Sequence, residues 1–117
     1  MPKRTYRTTK IARKRAAPPG VAYEPWLIEQ LKDPNEAAAY LEAAIEDGDQ
    51  AALMLALRRV AQALGGVSKI ARKSRLTREA TYRMLSASGN PELRSLTAIL
   101  GAAGLRLSVK PIEKQAA

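Results

Sequence analysis

The sequence predicts a mainly helical fold organised around a helix-turn-helix and closed by a short C-terminal β-strand. Three observations carry the prediction. Residues 67–85, VSKIARKSRLTREATYRML, read as two short apolar-backed helices with a tight break between them. The stretches on either side of that run repeat apolar residues at helical spacing, bounded by start and stop residues. Beyond Gly104 the apolar period shortens to two, with Leu105, Leu107 and Val109 alternating with Arg106, Ser108 and Lys110.

Charge divides the chain of 117 residues into three parts. Residues 1–20 carry seven basic and no acidic groups, residues 21–50 one basic and eight acidic, and residues 51–117 twelve basic and three acidic, which accounts for the net +9. The expected organisation is a disordered basic tail over 1–20, an acidic helical region over 21–48, and a helix-turn-helix domain with its strand over 49–112. The tail has almost nothing to bury and ends in Pro18-Pro19-Gly20. It is either a basic arm adding phosphate contacts or an extension without a role.

In the acidic region, residues 23–31 (YEPWLIEQL) form a short helical turn presenting Trp26, Leu27 and Leu31. Asp33 then caps a better helix with Pro34 at its first position, and Glu36 stands three residues after the cap. Tyr40, Leu41 and Ile45 are expected in the core. Trp26 is open between core packing and a partner contact, and the acidic outer face suits a basic partner.

Asp49 is expected to cap the next helix, whose apolar stripe is Leu53, Leu57, Val60 and Leu64, with Arg58 and Arg59 pointing away and Gly65-Gly66 ending it. In the helix-turn-helix, Ile70, Ala71 and Ser74 face inward, the chain breaks around Arg75 and Leu76, and Thr77 caps the second helix. Ala80, Thr81, Met84 and Leu85 form that helix's inner face, leaving Arg78, Glu79, Tyr82 and Arg83 outside. Such an outer face suits the major groove of DNA. Arginine donates to guanine or phosphate, Glu79 accepts from cytosine, and Tyr82 and Thr77 reach phosphate. Lys69, Arg72, Lys73 and Arg75 precede it, so residues 69–83 hold six basic groups and one acidic.

Asn90 is read as the cap of a last helix with Pro91 in its first turn and Leu93, Leu96, Leu100 and Ala103 inward. The strand that follows has no partner strand in the chain. It either pairs with the same segment of a second copy, making Leu105, Leu107 and Val109 dimer contacts, or docks on its own helices.

The chain contains no Cys and no His, which removes disulfides, thiolate and imidazole metal sites and the nucleophile-base pairs built on them. Gly65-Gly66 lacks the strand and the Lys-Ser/Thr of a phosphate loop, so no enzyme, cofactor or metal is expected. No apolar run reaches the ~20 residues that span a bilayer. With no signal peptide visible, no membrane partner and a cytoplasmic location are expected.

YLEAAIEDGD, TREATYRMLS, the GNP turn and the GLRLSV tail, within residues 26–111, resemble the addiction-module antidote family. These are antitoxins with a lambda-repressor-like (Xre/Cro) helix-turn-helix, similar in kind to HigA-like antitoxins. The resemblance implies a bacterial type II antitoxin that binds a palindromic operator as a dimer, represses its own operon and neutralises a small basic toxin of the RelE/ParE-like class. It implies DNA contacts at Ser68 and Lys69, at the start of the first helix, and at Thr77, Arg78, Glu79, Tyr82 and Arg83. Lys73 joins them from its position on the basic face, and Trp26, Leu27 and Leu31 are the candidate toxin contacts. Two residues depart from the family pattern: Arg75 stands where Gly is usual, and Thr81 where a larger aliphatic is usual. A stand-alone phage-type repressor, or a nonspecific nucleic-acid-binding protein relying on the tail, is the alternative.

Overall fold

The computed structural model describes residues 16–113. The basic tail expected over 1–20 therefore lies mostly outside the described residues. Six helices follow one another: α1 (Tyr23–Gln30), α2 (Pro34–Asp47), α3 (Gln50–Ala63), α4 (Val67–Lys73), α5 (Arg78–Met84) and α6 (Leu93–Ala102). Helix α3 is the centre of the packing. It takes α1 and α2 on one side and α4 on another, while α4 carries α5 and α6. One apolar core runs from Leu27 to Ala103, built around Met54, Leu57, Ile70, Leu85 and Ile99.

The helix starts follow from side chains that accept from unpaired amides. The Asp33 carboxylate accepts from the Asn35 N–H at 2.9 Å, Asp49 from the Ala51 N–H at 3.0 Å, and Thr77 Oγ1 from the Ala80 N–H at 3.1 Å. Three helix ends share a second device. In α3, α4 and α6 the third residue past the helix donates back five residues: Gly66 to Ala61 at 2.9 Å, Leu76 to Ala71 at 2.9 Å, and Leu105 to Leu100 at 2.8 Å. This is the Schellman arrangement, whose penultimate residue takes a left-handed conformation. Glycine holds that place after α3 and α6, at φ 109° for Gly65 and 80° for Gly104; after α4 it is Arg75, at φ 60°. A side chain there costs on the order of 1 kcal/mol.

Several expectations fail for identifiable reasons. No strand forms among the described residues, and the segment after Leu105 has no regular structure. Alternation supplied one apolar face but no neighbour to pair with. The segment lies beside α2 instead, where Lys110 Nζ meets the Glu42 carboxylate at 3.0 Å, and Val109 is 96% exposed. Ile45 is 56% exposed rather than core. Helix α2 buries Ala37, Leu41 and Ala44, and small Ala44 next to Ile45 turns the stripe away from it.

Helix α6 begins at Leu93, with Glu92 and not Asn90 at its cap, so Leu93 projects into solvent and Ile99 replaces it in the core. Helix α1 spans eight residues rather than a single turn. It buries Leu27, and Leu31 just past its end is buried as well, at 0% and 1% exposure. Along α3 Leu57 and Val60 are buried as expected, but Met54, Ala56, Ala61 and Ala63 join them because this helix is covered on more than one side.

Candidate nucleic-acid interface

The α4–α5 pair is built from residues with distinct inner and outer duties. Inside, Ile70, Ala71, Thr81 and Leu85 are buried. Thr81 fits where a larger aliphatic was expected because its hydroxyl donates to the Thr77 carbonyl at 2.8 Å, so the buried oxygen has a partner. Ser74 Oγ donates to the Ala98 carbonyl at 3.4 Å, tying the end of α4 to α6.

Outside, Thr77, Arg78, Glu79, Tyr82 and Arg83 are all exposed along α5, and Lys69, Arg72, Lys73 and Arg75 are exposed on α4 and the turn. Ser68, in the first turn of α4, is half-buried. The Arg78 guanidinium lies 5.6 Å from the centre of the Tyr82 ring, and Arg78, Glu79 and Tyr82 line a shallow hollow. Stacking keeps the Arg78 donors at the open surface and restricts their direction. Planar donors beside an acceptor carboxylate suit base edges or phosphate; nothing in the arrangement resembles a nucleophile with a base.

Residues that the sequence did not assign to this face hold it in place. Arg58 of α3 donates to the Leu85 carbonyl at 2.6 Å, at the C-terminal end of α5, and Gln50 Nε2 donates to the Gly89 carbonyl at 3.1 Å. Arg58 was expected to point away. Its acceptor is a backbone oxygen 27 residues downstream, for which no sequence signal exists.

A second cluster fastens the acidic region. Arg59 donates to both Glu24 oxygens at 3.1 Å and to the Tyr40 hydroxyl at 2.9 Å, and it stands 5.8 Å from the Tyr23 ring centre. The Arg59 hydrogen bond, with its charge, holds the Glu24 carboxyl below the usual carboxylate range. The same bond raises the Arg59 pKa against the opposing effect of partial burial. These bonds join α1, α2 and α3.

Of the three candidate toxin contacts, Leu27 and Leu31 are core residues with no surface to offer, and Trp26 is half-buried against that core. Of the three candidate dimer contacts, Leu105 is half-buried while Leu107 and Val109 are exposed.

A family model described as "Probable addiction module antidote protein" matches residues 26–111. The chain belongs to this family. The match takes in most of α1 and every later helix, so the antidote's acidic region and its α4–α5 pair fall within one family unit. An antidote implies a toxin partner. Over 84 residues the antidote is 29% identical to an uncharacterized protein of Haemophilus influenzae, covering 72% of this chain and 86% of the relative. No solved structure matches the antidote chain. No helix of the described residues is long and apolar enough to cross a membrane.

Proposed function

We propose that this antidote is the antitoxin of a type II toxin-antitoxin system, an Xre-type helix-turn-helix repressor that binds operator DNA as a dimer and represses its own operon. It neutralises a small basic toxin of the RelE/ParE-like class. The observation that carries the DNA reading is the sidedness of α5: Thr81 and Leu85 are buried, while Arg78, Glu79, Tyr82 and Arg83 are exposed together behind a basic α4. The first residues of α5 then enter the major groove and α4 crosses the backbone with Ser68, Lys69 and Lys73. Val109, which lies almost fully exposed beyond Leu107, provides apolar surface for the second copy.

The test is binding to the gene's own promoter duplex and to a scrambled duplex across a salt series, for wild type and Arg78→Ala. A specific repressor prefers its site by about 10³ or more. Wild type showing that preference, with Arg78→Ala losing most of it, supports the reading. Equal binding of both proteins to both duplexes, falling steeply with salt, rejects it in favour of nonspecific phosphate binding.

A further inference from the structure

Away from α5, an apolar groove of about 680 Å³ lies between α2, α3, α6 and the segment after Gly104. Leu41, Leu53, Leu57 and Leu100 line its inner part, and Ile45 and Leu107 line it while remaining exposed. Neither α4 nor α5 contributes a residue. A partner seated there leaves Arg78, Glu79 and Tyr82 uncovered.

The edge beside Ile45 has a definite electrostatic character. Glu42, Glu46, Asp47 and Asp49 all lie within four residues of Ile45, and no basic residue occurs between Lys32 and Arg58. The segment after Gly104 supplies Arg106 and Lys110 to the lining, and Lys110 is paired with Glu42. On a chain of net charge +9 this edge is the region that repels DNA and attracts a cationic protein. Exposed Ile45, with Glu42 beside it in the groove lining and Glu46 next to it in the chain, fits a basic segment carrying an apolar side chain.

We infer that this groove is the docking site of the toxin, which enters it with an apolar side chain from a basic segment. The inference rests on the toxin-neutralising half of the proposed function and is independent of the DNA reading. It also replaces the face of Leu27 and Leu31, which the core has consumed.

The probe is the protein encoded by the gene that adjoins this one, purified and titrated against the full chain across a salt series. Ile45→Lys, whose side chain is already exposed, weakens the complex at least about tenfold. Asp47→Lys slows association and flattens its salt dependence. Arg78→Ala leaves the affinity unchanged, and melting curves of all three variants establish that they are folded. Wild-type affinity in both Ile45→Lys and Asp47→Lys overturns the groove while leaving the antidote reading intact. Loss of self-association in Ile45→Lys with undiminished toxin binding also overturns it, assigning the groove to a second copy. Failure of wild type to bind the neighbouring product at all removes the toxin reading and this inference together.

Discussion

The Arg58 guanidinium reaches the carbonyl oxygen of Leu85 at 2.6 Å, so a residue of the central helix closes the C-terminus of the helix that presents Arg78 and Tyr82. The last carbonyls of a helix lack intrahelical partners and carry its negative partial charge, which makes a cation there doubly favourable. Gln50, eight residues earlier on the same helix, holds Gly89 beyond that end. Helix α3 thereby grips the chain at two points just after α5, setting the direction in which α5 projects.

Replacing Arg58 with Ala leaves the Leu85 carbonyl without this donor. The expected loss in urea denaturation is about 1.5–3 kcal/mol, the range for hydrogen bonds to charged groups. Arg58→Lys retains a single donor and recovers part of it. In DNA binding, Arg58→Ala reduces preference for the promoter duplex more than it reduces salt-sensitive binding to a scrambled one. Equal stability of Arg58→Ala and wild type contradicts the closing role.

Glycine substitutions separate close approach from simple flexibility. A Cβ on buried Gly89 runs into the carbonyl oxygen of Met84, a backbone atom that no rotamer change can move aside. Gly89→Ala is expected to destabilise by roughly 1–3 kcal/mol. Gly101 sits within α6 with open space around the position of its Cβ. Gly101→Ala gains helix propensity and stabilises by about 0.5–1 kcal/mol. Thermal melts of the two variants should shift in opposite directions.

The Glu24–Arg59 pair makes the attachment of α1 dependent on pH. The folded-state pKa of Glu24 is lowered, so its contribution is fully present above the unfolded value near 4.5 and disappears as pH falls through the folded value. Arg59 stays protonated throughout and adds no dependence of its own. Trp26 lies two residues along α1 and is the sole tryptophan, so its emission reports on this attachment. Wild type is expected to outlast Glu24→Gln against denaturant at neutral pH, with the difference vanishing in acid. A difference that persists unchanged to the lowest pH contradicts the assignment.

The sequence on its own determined the elements whose ends are chemically marked. Asp33-Pro34, Asp49 and Thr77 announce helix starts because a side-chain oxygen bonds an amide two or three residues away. Gly65 and Gly104 announce ends because each can hold the left-handed turn. The inner and outer faces of α5 were legible for the same local reason, since helical spacing alone separates Thr81 and Leu85 from Arg78 and Tyr82.

What depended on other parts of the chain was decided only in the tertiary structure. The alternation after Gly104 describes half of a strand and leaves the existence of a partner open; without one, the segment settles beside α2. The buried stripe of α2 turned toward Ala44 because α3 packs against that side, which left Ile45 at the surface. Arg58 and Leu85 lie 27 residues apart in sequence and form one joint in space. A hydrogen bond between them depends on how α3 and α5 are placed, and that placement comes from burial summed over the whole core, which no local spacing encodes.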